Sequence, residues 1–140
     1  MSRSGYVDDC DHDNIHYLWR GTVAKALKGK RGQTFLRDLV AAMDALPEPR
    51  LIESALQEAN GVCAIGSVGL ARGVDMAHLD PYDDYAVSAK FDIAQAMVRE
   101  IAWINDEVGG SIETPEQRWA RVHAWAVRNI KGGVTWPTRK

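Results

Sequence analysis

Apolar residues recur at helical spacing along most of this chain, and no run alternates with period two over the length of a strand. Ile15, Leu18, Trp19, Thr22, Val23 and Ala26 form the first stripe, with Asp13 placed to cap it and Gly29 to end it. After a basic turn, "GKRGQ", Thr34 caps a second helix with Phe35, Leu36, Leu39, Val40, Met43 and Leu46 on its apolar side, stopped by Pro47. "PEPRLIESALQEANG" reads as a third helix, with proline and acid at its start and Asn60-Gly61 as a left-handed C-cap. Asp80-Pro81 opens a short helix running to about Lys90, with Asp83 and Asp84 in its first turn. Asp92 caps the next, where Ile93, Met97, Ile101, Ile104 and Val108 make the clearest stripe, ended by Gly109-Gly110. "TPEQ", Thr114 to Gln117, is a capping box with proline at the first helical position. Its helix carries Trp119, Val122, Ala126 and Ile130 on one face and stops at "KGG". The pattern predicts an all-α fold, a compact single domain of six or seven short helices.

One segment breaks the amphipathic rule. In "GVCAIGSVGLARG", Gly61 to Gly73, Gly66, Gly69 and Gly73 share a wheel face with Val62, while Ala64, Ile65, Val68 and Ala71 cover the rest. A helix apolar all round is a buried one. Each internal glycine costs about 1 kcal/mol relative to alanine, so close approach of another backbone is its natural reason. This predicts a buried glycine-rich central helix.

Organisation follows from polarity. Residues 1–12 read as an acidic N-terminal arm, 13–131 as the helical domain and 132–140 as a C-terminal tail. At 140 residues, 46% hydrophobic and 26% charged, the chain matches one ordinary globular domain. A net charge of -2 gives no whole-molecule attraction to nucleic acid or anionic membrane. The start has no apolar core of a signal peptide, and Ala64–Ala71 is far short of the ~20 residues that span a bilayer. Cys10 and Cys63 are too few for a disulfide framework. A cytoplasmic protein with no membrane partner is expected.

Candidate chemistry is sparse. The glycine spacing of 66, 69 and 73 fits neither phosphate-loop pattern, and no strand precedes it. Cys63 stands where a helix N-terminus lowers a thiol's pKa, which makes it a candidate nucleophile if His78 or His123 serves as base. A small buried hydrophobe is the stronger reading of Cys63, and a core histidine that of His123. Asp9, Asp11 and Asp13 mimic a calcium loop, but Asn14 and Arg20 stand where glycine and glutamate are needed. Cys10, His12 and His16 can form a zinc set only if the helix reaches back that far; a solvated arm is the stronger reading. No cofactor and no metal are expected.

Two basic patches remain. Lys28, Lys30, Arg31 and Arg37 fall in a stretch from Asn14 to Arg37 that has no acid, and the first amides of the second helix can add to an anion site there. On the last helix Arg118, Arg121 and Arg128 share a face with Trp125, opposite the Trp119 stripe, an anchor-like composition. Asn105, Asp106 and Glu107 end a helix against its dipole, which calls for a compensating partner such as Arg118 or Arg121.

The pieces "WRGTVAKALKGKRGQTFLRDLVAAMDALP", "GVCAIGSVGLARGVDM", "LDPYDD", "INDE" and "TPEQRW", which together span nearly the full length, resemble a group of small uncharacterised proteins of proteobacterial phages and prophages. The resemblance implies a phage accessory gene and no catalytic residues. It favours a non-enzymatic protein that binds a host protein or protein complex, in its most specific form an inhibitor of a host defence complex. The alternatives are a thiol-dependent enzyme built on Cys63 and a weak electrostatic nucleic-acid binder using residues 28–37.

Overall fold

The computed structural model describes residues 3–6 and 13–133, the side chains of 13–17 excepted. Cys10, His12, the side chain of His16 and residues 134–140 therefore lie outside the described residues. Six helices account for most of the described chain: α1 (Asp13–Lys28), α2 (Lys30–Ala45), α3 (Ala64–Arg72), α4 (Asp84–Phe91), α5 (Gln95–Asp106) and α6 (Pro115–Asn129). A two-residue hairpin, β1 (Gln57–Glu58) against β2 (Gly61–Val62), precedes α3, paired antiparallel with Gln57 opposite Val62. None of these helices is long and apolar enough to cross a membrane.

Gly29 alone separates α1 from α2. Its extended conformation (φ -69°, ψ 167°) turns the chain, and its carbonyl accepts from Gln33 N–H at 2.9 Å. The "GKRGQ" stretch is thus mostly the first turn of α2, and Thr34 is an internal helical residue, not a cap. Gly32 makes the joint possible: a Cβ there would sit 1.9 Å from the Ala26 carbonyl oxygen.

The third helix predicted over 47–61 does not form. Leu51, Ile52 and Leu56 are all buried, at a spacing a helix could also provide, so the reason lies in the backbone. Their segment runs irregularly, and its backbone finds distant partners: Leu51 N–H donates to Pro115 O (3.1 Å), Ile52 N–H to Val62 O (2.9 Å) and Cys63 N–H to Leu56 O (3.1 Å). Ser54 takes a left-handed φ of 64° where the segment bends. Tertiary hydrogen bonding here outweighs local propensity.

Elsewhere boundaries shift by a few residues. Asp80 closes a turn by accepting from Tyr82 N–H (2.9 Å), and Asp83 is the N-cap of α4, accepting from Ala86 N–H (3.1 Å). Asp92, in a left-handed conformation (φ 55°), ends α4; it does not start α5, whose N-cap is Ala94. The Thr114–Gln117 capping box forms as expected, with Pro115 in the first turn of α6.

The core joins α2, α3, α5 and α6, with Phe35, Met43, Ile65, Met97, Ile101 and Val122 among its buried residues. α3 is buried from Ala64 to Gly69, and its last turn emerges into solvent. Gly66 explains the glycine-rich pattern, because a Cβ there would lie 1.9 Å from the Leu56 carbonyl oxygen. Gly69 faces the pliable Met76 side chain, and Gly73 is a left-handed C-cap (φ 69°). Gly66→Ala should therefore cost about 2–3 kcal/mol through forced displacement of backbone. Gly21→Ala, in the interior of α1 with open space around it, should gain about 0.5–1 kcal/mol. Urea denaturation of both variants checks this, and an unchanged midpoint for Gly66→Ala would remove the close-approach explanation.

Candidate functional site

The two basic patches are rearranged by folding. Trp125 is buried in the core with Val122 and Ala126, and Arg118 is buried beside them. The anchor face expected on the last helix is therefore not exposed, since its Trp125 and Arg118 lie in the interior. Residues 50–53 meet the first turns of α6, and Arg118 serves them, donating to Leu51 O at 2.9 Å with Glu113 at 3.6 Å. Arg121 makes a bidentate pair with Glu113 (2.6 and 2.8 Å) and donates to Ile104 O (2.6 Å). Trp119, expected on the core stripe, is half-buried at its edge; its indole N–H donates to Met43 O (3.2 Å) and its ring stacks on His123 at 4.6 Å. His123 contacts Asp44 at 3.0 Å, a rim position more than a core one.

A buried polar cluster sits at the C-terminal end of α5. Asn105 accepts from Ala64 N–H (3.0 Å) and donates to Ile52 O (2.9 Å), fixing the start of α3 to the irregular segment. Asp106 receives Arg3 through two bonds of 2.6 Å and Ser54 N–H at 3.1 Å. Glu107 accepts from Ser4 Oγ. The compensating cation for this acidic helix end is thus Arg3, not Arg118 or Arg121. Arg3 and Ser4 are buried, so the expected solvated arm does not hold at residues 3–6. Burial opposes the charge of Asp106, but the bonds and attraction from Arg3, with Asn105 and Ser54, outweigh it and hold the carboxyl below its ordinary 3.8.

Cys63 is buried at the N-cap of α3. Its sulfur accepts from Gly66 N–H at 3.4 Å and from Arg3 Nη1 at 3.5 Å. Of the two histidines considered as its base, His78 is exposed and His123 sits with Asp44 and Trp119. No group of three or more His, Cys, Asp or Glu residues among the described residues is placed to hold a metal ion.

Parts of the two patches do meet, at the opposite end. Gln33 joins the C-termini of α1 and α6: its amide donates to Leu27 O (2.7 Å) and Asn129 O (2.9 Å), and its Oε1 accepts from Lys131 N–H (2.8 Å). Lys131 Nζ donates to Lys28 O (2.8 Å), and Arg37 donates to Lys131 O (2.7 Å). Between the two helix ends lies a groove of about 390 Å³. Val23, Ala24, Leu27 and Ile130 form its apolar part, and Arg20, Lys28, Arg128 and Lys131 its charged rim, with Asn129 completing the lining. No lining residue is acidic. Arg20 is held by a bidentate pair with the buried Glu100 (2.7 and 2.9 Å). Lys28 and Arg128 are exposed, and neither has a carboxylate partner among the described residues. Lys30 is exposed nearby in sequence, and Arg31 makes a loose, exposed pair with Asp92 (3.3 Å).

Gln33, Lys131, Arg3 and Glu100 were not singled out by sequence reasoning. Glu100 carried a signal, since it falls between Met97 and Ile101 on the apolar stripe of α5. Arg3, Gln33 and Lys131 carried none, because their partners lie about a hundred residues away. No family model, no curated protein and no solved structure matches the chain.

Two outcomes follow from the buried cluster. Because the folded carboxyl of Asp106 is depressed, its stabilisation is present above the ordinary carboxylate pKa and is lost as pH falls through the folded value. Asp106→Asn should lose about 3 kcal/mol at neutral pH by stranding Arg3, and its stability should decline less than wild type between about pH 5 and pH 2. Denaturation curves across that range test both. In a Cys10→Ser background, Cys63 should react with a thiol reagent only as fast as the protein opens; rapid native-state labelling would mean the sulfur is accessible.

Proposed function

We propose that this chain is a non-enzymatic binding protein of phage or prophage origin, acting in the host cytoplasm on an acidic surface of a host protein or protein complex. Interference with a host defence complex is the specific form that the resemblance to phage accessory proteins favours. The observation that carries the reading is the groove at the joined ends of α1 and α6, where Lys28 and Arg128 stand exposed with no acid among the lining residues. A rigid scaffold with one cationic face suffices for a protein that acts by occupancy, since complementary charge directs encounter and rejects wrong partners. A nucleic-acid partner is less well served. Bases bind single-strand proteins by stacking on aromatic rings, and no lining residue is aromatic. The overall charge of -2 also opposes a long polyanion beyond the groove.

The test is capture of host proteins by the tagged full chain. The double variant Lys28→Glu/Arg128→Glu should stay folded, melting somewhat below wild type because each acid meets the C-terminal end of a helix dipole, and should lose capture at least about tenfold, or 1.4 kcal/mol. Wild-type capture should weaken as salt rises. Lys90→Glu, an exposed charge reversal on α4, serves as the control. Equal loss in the control, or full capture by the double variant, removes this end of the molecule as the binding surface.

A further inference from the structure

Residues 3–6, Arg-Ser-Gly-Tyr, sit on the helices as a short peptide sits on a receptor. Arg3 and Ser4 are buried, yet none of the four belongs to the hydrophobic core. The Arg3 guanidinium spans both oxygens of Asp106, at 2.6 Å each, and turns its remaining nitrogen to Ala55 O and Cys63 Sγ, both at 3.5 Å. Ser4 Oγ donates to Glu107, and Ser4 O accepts from Arg99. Three residues after Arg3, Tyr6 OH donates to Glu100 at 2.7 Å. Its ring lies against Trp19 and Trp103, with centroids 5.9 and 5.5 Å apart. Gly5, at φ 68°, turns the chain between the two anchors in a conformation that glycine adopts without strain. We infer that residues 3–6 are an exchangeable latch: they leave and rebind without unfolding the helices, and the site they vacate reads an arginine followed three residues later by a tyrosine.

Two features make the latch separable. First, the site is braced from within. Without Arg3, Asp106 still accepts from Asn105 Nδ2 (2.8 Å) and Ser54 N–H (3.1 Å), and Cys63 Sγ still accepts from Gly66 N–H (3.4 Å). Without Tyr6, Glu100 keeps its bidentate pair with Arg20. Asn105 joins Ile52 O to Ala64 N–H with no help from the segment. Second, undocking exposes charge more than apolar surface. Of the four residues only Tyr6 has a large apolar side chain, and it is half-buried. Arg3 and Asp106 regain the hydration that burial removed, which offsets part of the lost pair. A segment with few buried apolar contacts opens at a lower free energy than the whole fold. The specificity follows from the same contacts. A guanidinium fork matches the two oxygens of Asp106, whereas a lysine ammonium offers only a point charge. Tethering gives the chain's own segment an effective concentration on the order of millimolar, so it fills the site ahead of a dilute free peptide.

The experiment follows the full chain by NMR. In wild type the Arg3 Nε–H should exchange with solvent at a rate that low urea barely changes, whereas the Ile101 amide in α5 should show the steep urea dependence of global unfolding. The same steep dependence for Arg3 overturns the latch. The double variant Arg3→Ala/Tyr6→Ala should stay helical and unfold cooperatively. It should bind the synthetic peptide acetyl-Arg-Ser-Gly-Tyr-amide, shifting the amides of Ser54 and Ala64 beside the vacated site. Wild type should bind that peptide at least about tenfold more weakly, because its own segment competes. A peptide with lysine in place of arginine should bind the double variant at least about tenfold more weakly. Loss of the fold in the double variant overturns separability. No shifts at millimolar peptide overturn the receptor, and equal binding of the lysine peptide overturns the reading of arginine.

Discussion

The backbone of residues 50–63 must be hydrogen-bonded without a helix to do it, and much else in the molecule answers to that requirement. A buried peptide group left unpaired costs about 1–3 kcal/mol, so a segment that buries Leu51, Ile52 and Leu56 irregularly needs outside partners. Arg118 caps the Leu51 carbonyl, Asn105 caps that of Ile52, and Asp106 accepts from Ser54. Asn105 also holds the first amide of α3, so the same side chain that secures the segment sets the start of the glycine-rich helix. Gly66 then lets that helix approach the Leu56 carbonyl. Asp106 carries a charge into this buried setting, which is why Arg3 is drawn in against it from the other end of the chain.

The same requirement engages several of the arginines among the described residues. Arg118 and Arg121 are consumed by carbonyls and by Glu113, and Glu113 is itself held below its ordinary range, chiefly by its bonds to Arg121. Arg3 and Arg20 likewise serve buried carboxylates, Asp106 and Glu100. Lys28 and Arg128 lie beyond that network, at two helix ends that Gln33 fastens together. Cations in the last turn of a helix interact favourably with its dipole, so these residues help stabilise the ends they occupy while facing the groove. A chain of net charge -2 thereby presents a locally positive surface. The cationic groove is a product of where acids are absent as much as of where bases are present.

What could be read in the sequence is what local chemistry decides. The capping box at Thr114 and the stripe of α5 depend on residues three or four positions apart; the box forms where the pattern put it, and Met97, Ile101 and Ile104 are buried on α5, while Ile93 and the exposed Val108 fall outside the helix. The all-round apolar composition of Gly61 to Gly73 marked a buried helix, and Gly66 meets another backbone as its missing side chain suggested. What only the tertiary structure decided depends on partners far away in the chain. "PEPRLIESALQEANG" has helical composition, yet Val62, Asn105, Asp106, Pro115 and Arg118 offer its backbone better partners than its own carbonyls. Trp125 and Arg118 looked like an exposed pair because a helical wheel shows which residues share a face but not what covers it. The union of Lys28 with Arg128 is of the same kind. A hundred residues separate them, and tertiary contacts, among them Gln33 reaching two helix termini at once and Lys131 bonding to the Lys28 carbonyl, bring them to one groove.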